Sequence, residues 1–500
     1  MKDKHEYRIR VLPSDTLLTA YRGEALLDVL VRGGVFVTSP CGGRGRCGKC
    51  RVRLISGRVD GQAKDSDGCI LSCKARITED ITVEPIESAI DITVTVRDVL
   101  HGQDVYAALD IGTTTLAAML ISTDGDTVAK ASCLNPQAVL GADVLSRINA
   151  CNEGKLEILK ELVTKGSSEL ILKMCGGTRV KKLFVTANTV MLHILLGISP
   201  RSIGVYPFTP VFTEAKHRRG DELGLPVEEA VVLPSASGYI GSDVIAGAVY
   251  LNMHKGKETR LLLDLGTNGE MILAHGGKIY AASCAAGPAL EGASIECGMG
   301  GTEGAISRIV YENGMLSFKT VNGAEPKGLC GSALIDLVSI LVKEGVIDDT
   351  GAFDTESGSP LGNRLIGERF YITDRIYLSS GDVRQIQLAK AAISAGIEAL
   401  LAETGISEDD ISSFYIAGTL GEYMSPSSAE GIGLIPRGIL KNASCVGNTS
   451  LLGAAAVAVG NVSVDTLSDF SGRVITVELS ASEVFRERFI DNMYFPRGAK

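Results

Sequence analysis

Leu109-Asp110-Ile111-Gly112-Thr113-Thr114 returns as Leu263-Asp264-Leu265-Gly266-Thr267-Asn268, 154 residues further along a chain of 500. Each copy closes an apolar run, Ala107 to Ile111 in the first and Leu261 to Leu265 in the second. Each therefore reads as a buried strand entering a turn. One such match is weak; two in the same context predict duplicated halves. A strand-end carboxylate can hold Mg²⁺ directly or through water, and a Gly turn sets amides and hydroxyls against phosphate oxygens. Asp110 and Asp264 are the candidates for magnesium and water positioning. Gly112, Thr113, Thr114, Thr115, Gly266, Thr267 and Asn268 are the candidate phosphate contacts. Facing one cleft, two such turns would clamp a magnesium triphosphate and orient a water for hydrolysis. The plainer reading is that the carboxylates cap strand ends and the threonines only form turns.

A third turn, Ile416-Ala417-Gly418-Thr419-Leu420-Gly421, follows the strand Phe414 to Ala417, and Gly418, Thr419 and Gly421 are candidates to lie against a nucleotide base. No Walker-type Gly-Lys-Ser/Thr occurs, and no Gly-x-Gly-x-x-Gly opens a helix after a strand. Three turns in this order resemble the actin, hexokinase and heat-shock ATPase fold, and imply two related ATPase subdomains. Between the strands lie helical patterns. Val383, Ile386, Ala389, Ile393 and Ile397 share a face after the N-cap candidate Asp382, and Leu334, Leu337, Val338 and Leu341 share another. Strands alternating with helices predict parallel sheets covered on both faces.

The first 90 residues have a different texture. Tyr7 to Leu12 and Leu17 to Tyr21 read as paired strands, Glu24 to Val31 as a short helix, and Arg51 to Leu54 and Ile81 to Val83 as further strands. Five of the 12 cysteines (Cys41, Cys47, Cys50, Cys69, Cys73) fall within the first 73 residues, where uniform scatter would put fewer than two. Cys41-x5-Cys47-x2-Cys50 followed by Cys73 resembles the vertebrate- and plant-type 2Fe-2S ferredoxins, with one more residue in the first gap than plant types use. Three thiolates from one loop must converge on two irons, and Gly42, Gly43, Gly45 and Gly48 let the loop fold that tightly. Cys69 and Cys73 compete for the fourth place; Cys73 is preferred because Leu71 to Arg76 leads directly into the next strand. A closed zinc site is the main alternative, but such sites usually pair two Cys-x2-Cys hooks and only one is present. The later cysteines read as buried small hydrophobes.

These parts give an α/β organisation: a β-grasp ferredoxin-like domain over 1–88, a linker over 89–104, and ATPase subdomains over 105–255 and 256–500. The composition, 45% hydrophobic and 22% charged, suits a folded chain. A net charge of −10 without a dense basic cluster argues against a phosphate-backbone binder, so no nucleic-acid partner is expected. The start, Met1 to Glu6, has no apolar h-region, and no long apolar span is seen, so a cytoplasmic protein without a membrane partner is expected.

The whole pattern resembles the ATP-dependent reductive activators of corrinoid proteins, which serve methyltransferase systems in anaerobes. The resemblance rests on Asn188-Thr189-Val190-Met191-Leu192-His193, Tyr206-Pro207-Phe208-Thr209-Pro210 and Gly238 to Asp243. It also rests on Leu263 to Glu270, Ala285 to Gly292, Gly328 to Ser332 and Gln387 to Ala392. Thr419-Leu420 departs from the Gly/Ala-Phe pair usual there, and the chain is shorter than members with a substantial linker and middle region, which leaves Ile86 to Val105 to join the parts. The resemblance implies a 2Fe-2S cluster on Cys41, Cys47, Cys50 and Cys73, with ATP and Mg²⁺ on the body. It implies reduction of inactive Co(II) to Co(I) in a corrinoid partner, with electrons from an upstream low-potential donor, and leaves a homodimer open. A plant-type cluster near roughly −400 mV gives such an electron only with difficulty. ATP helps by biasing the complex between states, which requires differential affinity for them. Ser283 is the candidate to face the corrin. His193, in an apolar run, reads as a core histidine, while Glu270 either shapes the site or pairs with a neighbour. The competing functions are an ATP-driven electron donor to a radical dehydratase, a small-molecule kinase of the same fold, and an adaptor with a decayed ATPase body.

Overall fold

The computed structural model describes residues 5–35, 37, 39, 43, 45, 50–86, 93–96, 104–418, 420 and 423–496. Two compact units divide the chain, Met1–Phe212 with His217–Val232, and Thr213–Lys216 with Leu233–Lys500.

The first unit opens with β1 (Glu6–Val11), β2 (Thr16–Tyr21), α1 (Leu26–Arg32), β3 (Arg51–Ser56), β4 (Cys69–Leu71) and β5 (Ile81–Pro85). They form a five-stranded sheet in the order β2-β1-β5-β3-β4. β1 and β5 are parallel, while β2, β3 and β4 pair antiparallel with their neighbours. Period-2 alternation explains the sheet's one covered face: Ile9, Val11, Val52, Leu54, Ile81 and Val83 are buried beside Leu26, Val29 and Leu30 of α1. This is the expected β-grasp arrangement.

The rest of that unit is built on a second sheet. Its strands are β6 (Thr93–Val96), β7 (Asp104–Ile111), β8 (Thr115–Ser122), β9 (Thr127–Leu134), β10 (Arg179–Ala187), β11 (Lys216–Arg219) and β12 (Glu229–Val232). The order is β11-β12-β10-β7-β8-β9-β6. The expectation of parallel sheets needs correcting: β7, β8 and β9 form an antiparallel meander, and only β7, β10 and β12 run parallel. The first Gly-Thr turn, at Gly112, therefore links antiparallel strands and does not lead into a helix. Within the stretch read as linker, Thr93–Val96 pairs with Ala129 to Ser132 and forms the sheet edge. Helices α2 (Val144–Asn152), α3 (Leu156–Cys175) and α4 (Thr189–Leu195) belong to this unit. A side chain at Gly166 would stand 3.0 Å from Leu116 and from Pro136, so glycine lets α3 press onto the sheet.

In the second unit, α5 (Ser242–Tyr250) precedes β13 (Arg260–Leu265), β14 (Gly269–His275) and β15 (Lys278–Cys284). Then come α6 (Gly331–Lys343), α7 (Ser380–Thr404), β16 (Ser413–Ala417), β17 (Ala443–Gly447), α8 (Thr449–Ala458) and β18 (Val474–Thr476). The sheet order is β17-β16-β13-β14-β15-β18. Strands β7 and β13 thus occupy the same place in their sheets: a parallel neighbour on one side and an antiparallel hairpin on the other. The duplication read from the repeated hexapeptide is in the topology.

Helix α7 begins earlier than the sequence suggested. Ser379 is its N-cap and Asp382 is the third residue of a capping box: Asp382 N–H donates to Ser379 Oγ, and Ser379 N–H to Asp382 Oδ2 at 3.0 Å. Among the described residues no helix is long and apolar enough to cross a membrane.

Candidate functional site

The first turn, residues 112–114, joins β7 to β8, with Asp110 half-buried one residue before the end of β7. A Cβ on Gly112 would lie 2.7 Å from the Thr115 carbonyl oxygen, so only glycine fits there. Thr113 is turned inward, and its hydroxyl oxygen accepts from Asn188 Nδ2 at 3.2 Å. Asn188 also N-caps α4, its Oδ1 accepting from the Met191 N–H at 3.0 Å. Under the turn lies Arg147 of α2, with no solvent exposure. Its Nη2 donates to the Thr113 carbonyl at 2.5 Å, Nε to the Gly141 carbonyl at 3.0 Å, and Nη1 to Gln137 Oε1 at 3.0 Å. Asn135 Nδ2 donates to the Gly112 carbonyl at 2.8 Å. Sequence reasoning missed Arg147, Asn135 and Gln137, because nothing local marks an arginine as buried.

His193, in the same α4, is a satisfied core histidine as read. Its Nδ1–H donates to the Thr189 carbonyl at 2.7 Å, and Nε2 accepts from the Val211 N–H at 3.0 Å. The ring stacks on Phe212, and burial holds its pKa below the usual histidine value.

The second turn, residues 266–268, joins β13 to β14 in the same way, with Gly266 N–H donating to the Asn268 carbonyl. Its surroundings are acidic. Thr267, buried, donates its hydroxyl to Glu291 Oε2 at 2.5 Å. Asp264, half-buried, stands opposite Glu270 in the β13–β14 register, and Glu270 stands opposite Ser283 across β14–β15. These three residues share one face of the sheet. Burial raises the Glu270 carboxyl well above the usual carboxylate range, and the charges of Asp243 and Asp264 push it further. Ser283 is half-buried in this row, and the neighbouring Cys284 thiol is pushed up to about 12 by burial. Glu270 thus belongs to the second turn's carboxylate group, an alternative the sequence left undecided.

Gly418 of the third turn packs directly behind Asp264. Its φ is +91°, and a Cβ would meet the Leu265 carbonyl at 2.3 Å and Asp264 Oδ1 at 3.0 Å. Thr419 and Gly421 lie outside the described residues, as do Cys41 and Cys47 of the cysteine loop. Cys50 and Cys73 are described. Both are buried, with Sγ atoms 3.2 Å apart, close enough to share one small inorganic group. Gly43 and Gly45, ahead of Cys50 in the cysteine loop, adopt φ of +80° and +72°, as a tight ligand loop needs. Cys69 is buried too, its Sγ 3.6 Å from the Asp67 carbonyl oxygen. Of the later cysteines, Cys133, Cys151, Cys175, Cys284 and Cys330 are buried, and only Cys445 is exposed. These residues fit a 2Fe-2S cluster on the cysteine loop.

Comparison with known proteins agrees with this geometry. Residues 9–78 match the 2Fe-2S iron-sulfur cluster binding domain, 106–256 the RACo middle region, and 258–500 the C-terminal ASKHA domain of RACo. The chain is 32% identical over 415 residues to the corrinoid activation enzyme RamQ of Eubacterium limosum, covering 78% of this chain and 70% of that protein. It is 25% identical over 437 residues to a [Co(II) methylated amine-specific corrinoid protein] reductase of Methanosarcina barkeri, covering 78% and 77%. A solved reductive activator for a corrinoid, iron-sulfur protein superposes with a TM-score of 0.75 at 25% identity, over 98% of this chain and 99% of that one. With a ferredoxin module at its start and a duplicated ATPase body behind it, the chain belongs to the family of reductive corrinoid activators.

Proposed function

We propose that this chain carries out ATP-dependent reductive activation of a corrinoid protein of a methyltransferase system, returning inactive Co(II) to Co(I) by one electron. The observation that carries this reading is the presence, in one chain of this family, of a cysteine-bearing β-grasp module and two acidic hairpin turns. Cys41, Cys47, Cys50 and Cys73 hold the cluster. When bound, a 2Fe-2S cluster supplies one-electron redox chemistry.

Asp110 and Asp264 position magnesium and the attacking water. Gly112, Thr114, Thr115, Gly266 and Asn268 contact phosphates, with Thr113 and Thr267 contributing backbone, since their hydroxyls face Asn188 and Glu291. Gly418, Thr419 and Gly421 lie against the nucleoside. Ser283 faces the corrin, where a hydroxyl on the row beyond Glu270 would change the ligation of the substrate cobalt. ATP can bias the complex between states only through different affinities for them, so the residues gripping phosphate set the size of that bias. The parts divide the work: 1–88 for the cluster, 105–255 and 256–500 for ATP, with 89–104 joining them and lending Thr93–Val96 to the first ATPase sheet.

The partners are the corrinoid protein and an upstream low-potential electron donor, with no nucleic acid and no membrane, and a homodimer compatible with the scheme. The cytoplasm suits thiols that must stay reduced. The deciding experiment is anaerobic absorbance of a Co(II) corrinoid protein mixed with this protein and a low-potential reductant, with and without Mg-ATP. A Co(I) band that grows only with ATP, and is lost in Asp264→Ala and in Cys47→Ala, is the expected result. An assembled 2Fe-2S spectrum and steady ATP hydrolysis without Co(I), tried across several corrinoid partners, would move the reading to a dehydratase-type electron donor.

A further inference from the structure

Three successive carbonyls of the first turn point into the protein. Gly112 O accepts from Asn135 Nδ2 at 2.8 Å, Thr113 O from Arg147 Nη2 at 2.5 Å, and Thr114 O from the Asn135 N–H at 2.8 Å. A trans peptide is planar, with its C=O and the following N–H on opposite sides. Carbonyls drawn inward at Gly112 and Thr113 therefore turn the N–H groups of Thr113 and Thr114 to the other face of the turn. Successive N–H groups on one side make a concavity suited to an anion. The inward pull is not a by-product of ordinary hairpin pairing, because two of its three donors are buried side-chain groups from outside the hairpin. Arg147 adds a full positive charge beneath the turn, with no solvent exposure to screen it. Gly141 keeps it there: its carbonyl accepts from Nε, and a Cβ on it would lie 2.3 Å from Ser146 Oγ.

We propose that Arg147, together with Asn135, is a positioning residue for nucleotide phosphate: the pair fixes the peptides of Gly112 and Thr113 so that the turn presents its N–H groups to an anion. This rests on the reading that the first turn binds phosphate. Neither side chain touches the nucleotide. They act through the backbone and through the charge behind it. Asn188 completes the brace by holding the Thr113 side chain. The Asn188 to His193 motif thereby acquires a purpose, since its first residue holds this turn and its last pins the helix to Val211.

The test uses the full-length protein with its cluster assembled, in the forms Arg147→Lys, Asn135→Ala and Asp110→Asn. Calorimetry with Mg-ATP and with adenosine gives affinities, and thermal melting checks the fold. Arg147→Lys keeps a charge but loses the fork that spans three acceptors. Mg-ATP affinity should fall about 10- to 100-fold, the range seen when a supporting partner of a ligand site is removed. Adenosine affinity should stay unchanged. Asn135→Ala should show the same selectivity, and carries the test if Arg147→Lys does not fold. Unchanged Mg-ATP affinity in a folded variant, or equal weakening of both ligands, would overturn the proposal. Asp110→Asn separates the two possible failures. If it weakens Mg-ATP while the brace variants do not, only the positioning role is wrong. If none of the three changes Mg-ATP affinity, the first turn is no phosphate site and the proposal goes with it.

Discussion

The two hexapeptide turns occupy the same place in their sheets and have opposite surroundings. Behind the first lie a buried guanidinium and carboxamides, which hold its carbonyls inward. Around the second lie Asp264, Glu270, Asp243 and Glu291. The backbone hairpin is the same in both copies, each with its strand-end aspartate, but a guanidinium lies behind the first and further carboxylates surround the second. A guanidinium behind a turn suits gripping phosphate; added carboxylates around one suit a metal and the activation of water. One repeated motif, in two electrostatic settings, supports two different chemical tasks.

The strongest challenge to that contrast is to weaken each turn separately. Asp264→Asn should lower the turnover of ATP by about 10²- to 10⁴-fold, the range for a lost acid–base or water-orienting group. That loss should appear mainly in kcat. Weakening the first turn through Asn135 should appear mainly in KM for ATP. Equal kcat and KM effects at both turns would erase the division of labour.

Next in size is a change that touches neither turn. Cys73→Ser should abolish the 2Fe-2S absorbance and Co(I) formation while leaving ATP hydrolysis in place. Cys69→Ser should keep all three, since its Sγ is engaged by the Asp67 carbonyl while Cys50 and Cys73 pair with each other. Loss of the cluster in Cys69→Ser but not in Cys73→Ser would reverse the ligand assignment.

Glycine replacements probe backbone fit on the two sides. Gly112→Ala forces a Cβ to 2.7 Å from the Thr115 carbonyl, and should cost about 1–3 kcal/mol in urea denaturation, as overpacking does. Gly418→Ala should cost more, because its Cβ meets a carbonyl at 2.3 Å and its φ of +91° is left-handed. A milder effect at Gly418 would mean that the third turn yields more readily than the first.

The smallest effects are in pH dependence, and they differ in sign. The folded-state pKa of His193 lies below its ordinary 6.5, so in the window beneath 6.5 the unfolded chain binds more protons. Stability from this group is therefore lost as pH falls through that window. The folded-state pKa of Glu270 lies above 4.5, so the folded chain binds more protons above that value. Its contribution is full below 4.5 and is lost as pH rises toward the folded pKa. Denaturation of wild type and Glu270→Gln between pH 5 and 8 should show the fall at higher pH flattened in the variant. An unchanged slope would mean that Glu270 is charged in the folded protein.

Much of this molecule was legible before any coordinates. Cysteine spacing marked the cluster module, and strand-end Asp-x-Gly-Thr marked both turns, because each depends on residues close together in sequence. The apolar periods of α6 and α7 were legible for the same reason, although the cap of α7 was misplaced by three residues: Ser379 and Asp382 compete for one role that only hydrogen bonding assigns. Strand direction was misjudged, since a short Gly-Thr turn serves a hairpin as well as a strand–helix link. What the tertiary structure alone decided is which residues stand behind the turns. Arg147 is 34 residues from Thr113, and Asn188 is 75. Asp243 reaches Glu270 from another element altogether. Sequence carries chemistry and local geometry, but the charge around a turn is summed over whatever the fold packs against it. A repeated motif can therefore be read as repeated, while the difference between its copies appears only once the chain is folded.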